Sequence, residues 1–379
     1  MKRITKSISL VLALLLVVAA LAACGGSGGG SGSGAAAGSG GEQPTYVDTG
    51  EYTGDPMEIV FSFASSESFC SLYTAVEERI TARTGGKVTF VNYFGGSLAS
   101  ATESLDACGS GMCDMADITL TNFKDRFPYS QQVNEYPFLG YKSLAMATDV
   151  MNQFIPNNEY CMAEFEAANI HPVFFVGVWG TSLVMRDNVD IKVPQDLKGK
   201  KIMATSDIEN NFILAAGGTP VAQPPTEMYS CMQNGVIDGV MIGLYVTNIF
   251  GALQLSKSVY MLENSFTTGL RTFAVNKDLW ESFTPDLQAI FEDEFSNETF
   301  WTEAKKFWDE QDQSHLDDCE EWGIPVTWIE GDDMQPWKDM AKPFGDEKLQ
   351  ALKDAGNEHV FEVFNQLNEA IDNYDGRFK

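Results

Sequence analysis

Histidines, cysteines and carboxylates are the side chains here with chemistry to offer, and their spacing decides what that chemistry is. His171, His315 and His359 stand far apart, and none has a persuasive serine or cysteine partner for nucleophilic catalysis. No GxSxG elbow, GxxxxGK[ST] loop or HExxH pair occurs. "TGGKV" (84–88) lacks the preceding strand that a phosphate loop requires and reads as a helix-stopping turn. The 53 Asp and Glu against 25 Lys and Arg describe solvated acidic faces. Six cysteines follow Cys24: Cys70, Cys108, Cys113, Cys161, Cys231 and Cys319. They permit three disulfides, Cys108–Cys113 as a local bridge among them, or they are buried thiols; both readings stand. With no CxxC pair and three histidines, a zinc site is not expected, nor is any other cofactor. Nothing in the chain asks for an enzyme; a surface hydrolase is the enzymatic alternative.

One stretch suggests binding instead. "DLKGKKIMATSD" (196–207) is a basic turn, a short apolar strand, then polar cap residues. A strand ending there, with Ser206 or Asp207 opening a helix, points its last side chains into a crevice. Met203 stands at the mouth of that crevice, where a charged residue would be natural.

The elements that must position these residues follow an export leader. MKRITKS is cationic, Leu10–Ala23 is apolar but too short to span a bilayer, and small residues precede Cys24. "LAAC" resembles a bacterial lipobox, so residues 1–23 are expected to be a signal peptide and Cys24 the lipid-modified first residue. "GGSGGGSGSGAAAGSGGE" (25–42) is a flexible Gly/Ser chain, a tether within 24–55 for a body above a membrane. Loss of Lys2, Arg3 and Lys6 with the leader takes the net charge from −28 to −31, which argues against nucleic acid or an anionic membrane surface as partner. The expected location is extracytoplasmic and lipid-anchored, and the expected body a monomer.

From residue 57 the chain alternates strand and helix. "MEIVFSFAS", "KVTFVNYFGG" and "CDMADITLT" are strands separated by helices, a βαβ series that implies a parallel sheet. A second series begins at "IHPVFFVGVWG" (170–180) and continues through "KKIMAT", the helix 207–216, "TPVAQ", the helix 226–234 and "VIDGVMIG". Thr284-Pro285 opens one unusually long helical stretch that ends at Gly323 and Pro325, and a helix over 346–373 finishes the chain.

In this order, "TGGKVTFVNYFGGSLAS", "SGMCDMADITLT", "NEYPFLGY", "VPQDLKGKKIMA", "TPVAQPPTEMYSCMQNGVIDGV" and "FAVNKDLW" resemble the DctP-type solute-binding proteins of tripartite ATP-independent (TRAP) transporters. The resemblance covers about residues 57 to 310. It implies an α/β fold of two lobes, periplasmic-binding-protein-like, each a mainly parallel sheet flanked by helices, with a long helix spanning both. The expected divisions are 56–176 for the first lobe, 177–275 for the second, and 276–379 for helices that complete and bridge them. It further implies a small organic solute held between the lobes and delivered to TRAP-type permease subunits, or else reported to a sensory partner.

Within the family, the strand after "DLKG" normally carries an Arg that forks onto a ligand carboxylate. That position is Met203, and a second customarily cationic one is Ser182. The customary aromatic is Pro225, and the customary amide Ile242. The resemblance thus implies a pocket without its usual carboxylate grip. One reading is a neutral, apolar or amine-bearing ligand held by Phe63, Phe94, Trp179, Met203 and Tyr245, with Asp117 or Glu67 facing any cation. The other moves the anion site to Arg271, Arg186 or Arg126. Asn248, in "VTNIF", matches the family's Asn-Ile pair. Each residue has a structural alternative: Met203, Phe63 and Phe94 as core, Trp179 packed beneath the cleft, Asp117 as a cap or ion-pair partner, Arg271 facing solvent from an edge strand.

Overall fold

The computed structural model describes residues 46, 47, 49–178 and 181–378; the leader, Cys24, the Gly/Ser run and Trp179 lie outside them. Eleven strands form two sheets among the described residues. The strands are β1 (Met57–Ser62), β2 (Val88–Tyr93), β3 (Met115–Thr119), β4 (Ile170–Val178), β5 (Ser182–Met185), β6 (Lys201–Met203), β7 (Thr219–Val221), β8 (Gly239–Ile242), β9 (Ser258–Leu262), β10 (Gly269–Asn276) and β11 (Val326–Ile329). The first sheet has the order β2-β1-β3-β10-β4 and the second β11-β9-β5-β8-β6-β7.

One strand in each sheet runs against all the others, β10 in the first and β5 in the second. The reversal follows from the chain path. The parallel strands of both sheets end toward a shared cleft. A chain that leaves β4 at its cleft end must enter the second sheet from the cleft and run away from it, which makes β5 antiparallel. The return from β9 to β10 imposes the same condition on the first sheet. Two corrections follow. β4, expected to begin the second series, belongs to the first sheet, and β10, expected in the second lobe, lies between β3 and β4. Arg271 therefore sits on an interior strand rather than an edge.

Each sheet is apolar on both faces, as a sheet covered by helices on both sides must be. In β3, Ala116 and Ile118 join one core while Met115 joins the other, which also holds Ile59, Phe61, Phe63 and Phe273. The second sheet splits likewise, Ile202 and Met241 on one face and Met203 and Val240 on the other.

The expected long helix is two helices, Pro285–Glu294 and Glu298–Glu321. Asn297 breaks it, its side chain accepting the backbone N–H of Phe300 at 2.9 Å as an N-cap. The 24-residue second piece is about 36 Å long. It buries Phe300, Trp301, Ala304 and Trp308 in the first lobe and Cys319 in the second, so it bridges both. The expected helix 346–373 is also two, Gln335–Asp354 and Val360–Asp372, separated at Gly356, whose φ of +102° is glycine's territory. All six described cysteines are buried free thiols, which leaves Cys108 and Cys113 unbridged.

Trp337 ties helix Gln335–Asp354 to the cleft wall. Its ring lies 5.7 Å from Phe212 of helix Asp207–Ala215, and its Nε1 donates to the Lys192 carbonyl at 3.2 Å. Trp337→Ala should lower stability by about 3–5 kcal/mol in urea unfolding. A loss below about 1 kcal/mol would show that this wall is held from elsewhere.

Candidate functional site

The cleft has a volume of about 640 Å³ and is walled by the strand ends that the topology delivers to it. Val178 closes β4, Thr121 lies just past β3, and Gly269 opens β10; from the second lobe come Thr181 before β5, Thr205 past β6 and Ile242 at the end of β8. Helix Gln335–Asp354 adds Glu347 and Lys348, and helix Leu244–Ile249 adds Tyr245.

Ile242 and Tyr245 are the expected binding residues that line this space. Tyr245 is 40% exposed, and its ring meets Phe69 of the first lobe edge-on at 5.9 Å. Phe63 is buried in the first-lobe core, stacked on Phe61 at 3.9 Å and on Phe94 at 5.1 Å. Met203 is buried in a second-lobe core with Met228 and Met232, which is its structural alternative. The buried Ser182 hydroxyl donates to the Ile242 carbonyl at 2.8 Å, so its one donor is used within the sheet. Glu67 is exposed on the short turn Glu67–Phe69, and Pro225 opens the turn Pro225–Glu227. The Asn248 amide lies 3.0 Å from His315 Nδ1 and donates to Asp318 at 2.6 Å, fastening its helix to the bridging one. Arg126 pairs with Asp106, and Arg186 lies beside Asp187 and Asp238; neither lines the cleft.

Asp117 and Arg271 are brought together. They stand diagonally on neighbouring antiparallel strands, with Arg271 opposite Thr119 and Asp117 opposite Phe273. Nε and Nη2 of the guanidinium donate to the two carboxylate oxygens in a fork. The Phe273 ring lies 5.1 Å and the Tyr73 ring 5.9 Å from the guanidinium carbon. Burial opposes the charge of Arg271, but Asp117 outweighs it and the pKa is raised. Burial also pushes the neighbouring Cys70 thiol up to about 12, the arginine opposing.

The acidic part of the wall has little mark in the sequence. Ser206 and Glu209 form a capping box: the Ser206 hydroxyl accepts the Glu209 N–H at 3.2 Å, and Glu209 accepts the N–H groups of Thr205 and Ser206. The signal was present in "SDIE", a serine followed three residues later by glutamate. Glu135 and Lys348, 213 residues apart, form an ion pair at the cleft that no local pattern announces. Among the described residues, no cluster of potential ligands is suited to a metal ion, and no helix is long and apolar enough to cross a membrane.

Two α/β lobes, two strand crossovers, a bridging helix and a cleft at the carboxyl ends of the strands define a solute receptor of the two-lobed binding-protein class. The family model described as bacterial extracellular solute-binding protein, family 7 (DctP), matches residues 65–351, and the chain belongs to that family. The family is one of extracytoplasmic solute receptors, not enzymes. A TRAP periplasmic solute-binding protein from Desulfovibrio salexigens matches with a TM-score of 0.70 at 21% identity, covering 85% of this chain and 98% of that one. One from Rhodoferax ferrireducens, in complex with copurified benzoate, gives 0.70 at 17% identity over 83% and 98%. Another from Chromohalobacter salexigens, with bound D-glucuronate, gives 0.67 at 18% over 82% and 99%.

Burial pushes the Glu209 carboxyl up to about 7, and Glu135 adds to the shift. The fold thus favours the neutral form. This contribution to stability is complete below the ordinary value of 4.5 and is lost as pH rises through about 7. Glu209→Gln keeps the acceptor and removes the proton. Its melting temperature relative to wild type should therefore rise steadily between about pH 4.5 and 7, reflecting roughly 1 kcal/mol or more. A gap that does not change with pH would refute the assignment.

Proposed function

We propose that this receptor captures a neutral, apolar or aromatic, or amine-bearing solute in its cleft and hands it to TRAP-type permease subunits. The observation that carries the ligand class is the Asp117–Arg271 fork, in which the guanidinium is already neutralised. Ser182 and Met203 stand where the family customarily has cations, one bonded to backbone and the other in core. The wall carries Asp207 and Glu347 against Lys124; Glu135 and Lys348 are paired with each other, and the fold favours neutral Glu209. An entering carboxylate would find no unshared fork, whereas an ammonium group would find acceptors. Hydroxyl and amide groups of Thr121, Asn122, Thr205 and Asn211 suit an uncharged polar rim, and Ile242 and Tyr245 give an apolar face. Micromolar capture needs about 8 kcal/mol, within reach of aromatic burial and a few hydrogen bonds. Ligand contacts made better with the lobes together drive closure.

A second reading is carboxylate capture by Lys124 on the same wall, in the manner of a point charge rather than a fork. It would align this chain with the relatives bound to benzoate and D-glucuronate. A thermal-shift panel separates the two. Neutral and amine-bearing aromatics should raise the melting temperature, while benzoate, D-glucuronate and simple dicarboxylates should leave it unmoved. Strong stabilisation by a carboxylate would decide for the second reading.

The body is held at the outer face of a membrane by lipid on Cys24 through the 24–55 tether. Cys24→Ser should move the protein from the detergent phase to the aqueous phase in a detergent partition. Unchanged partition would remove the anchor from the account.

A further inference from the structure

Asp117 and Arg271 carry opposite charges one row of side chains below the cleft wall, and each is committed to the other. The Asp117 side chain is 1% exposed and that of Arg271 16%. Gly269, two residues before Arg271 and on the same face of β10, lines the cleft. A Cβ there would meet Thr121 Cγ2 at 3.0 Å and Val178 Cβ at 3.1 Å, so that row is closed by backbone and neighbours alone. Tyr245, from the second lobe, stands near enough for both charges to act on its hydroxyl.

A ligand carboxylate would seek the same two N–H groups that Asp117 occupies. To take them it must displace Asp117 and leave a buried carboxylate without its cation, a loss that works against any gain from the new pair. We propose that Asp117 is a specificity-determining residue: by holding both arms of the Arg271 fork it withdraws the guanidinium from anionic solutes. The inference rests on the ligand class argued above and supplies its cause. It also makes the preference reversible by single substitutions.

Isothermal titration of the whole mature protein with benzoate, D-glucuronate and benzylamine tests it. Asp117→Asn keeps the shape, removes the competing charge and frees one arm of the fork. It should bind benzoate or D-glucuronate at least tenfold more tightly than wild type. Arg271→Gln should gain at least tenfold for benzylamine and nothing for benzoate; its buried Asp117 carries a proton while the site is empty and releases it on pairing with the ammonium. The double variant D117N/R271Q should show neither gain. The proposal is overturned by an Asp117→Asn protein with wild-type circular dichroism and unchanged affinity for both acids. It is equally overturned if wild type binds benzoate and Arg271→Gln abolishes that binding. Where Asp117→Asn fails to fold, Arg271→Gln decides: a benzylamine gain upholds the inference, and its absence sinks it. Wild type on the thermal-shift panel judges the ligand class separately. A wild type that ignores amines while Asp117→Asn gains benzoate removes the class and leaves the role of the pair intact.

Discussion

The constraint with the widest consequences is the buried fork between Asp117 and Arg271. A charge in an apolar interior costs several kcal/mol unless an opposite charge meets it in good geometry. Here the geometry comes from pairing β3 with β10, which places the two residues diagonally on one face. A one-residue slip in that register would turn Arg271 into the opposite core, among Leu270 and Ala274, and leave Asp117 unpaired. The fork therefore fixes the register of the returning strand against the rest of the first sheet. Phe273 and Tyr73 supply ring faces to the guanidinium, and Cys70 remains a neutral thiol beside it.

That returning strand matters because the two lobes share one chain path. β5 and β10 both start at the cleft and run away from it, so their first residues are cleft residues by construction. Thr181, just before β5, and Gly269, the first residue of β10, line the cleft, one on each crossover. Any change in the angle between the lobes acts first on these two segments. The bridging helix Glu298–Glu321 limits the change, because Trp301 and Trp308 anchor it in one core and Cys319 in the other. The hydrogen bond from Asn248 to Asp318 adds the helix bearing Tyr245 to this frame. Tyr245 thus reaches the first lobe from a support that is itself fastened to both.

Much of this architecture is legible in the residues. The succession from "MEIVFSFAS" to "CDMADITLT" gives β1, β2 and β3 with their parallel order, and "SDIENNFILA" gives a helix that starts where its capping box says. What is not legible is which sheet a strand joins. "GLRTFAVN" alternates as any strand does, and only the return path through the cleft places it between β3 and β4. The helix break is hidden for a related reason: apolar spacing continues across Ser296-Asn297, while the break is made by one local bond that the Asn297 side chain accepts. At the site, Asp117 and Arg271 both stand out in the sequence for opposite purposes, one for a cationic guest and one for an anionic guest. Pairing 154 residues apart satisfies both, and no local pattern contains that fact.

The consequence for binding concerns how closure is driven. A receptor with a free guanidinium draws a large share of its closing force from one charge-assisted fork, made only when the guest arrives. Here that fork exists without a guest, so it contributes nothing to the difference between the empty and filled states. Closure must then come from contacts that span the lobes through the ligand: Ile242 and Tyr245 on one side, Val178 and the Thr121–Asn122 segment on the other. Such contacts scale with the guest's apolar area and with its fit to a few neutral hydrogen-bonding groups. Shape discriminates among guests more than charge does under that condition. The remaining electrostatic preference is set by Asp207 and Glu347 on the wall, since the fold favours neutral Glu209 and Glu135 is paired with Lys348.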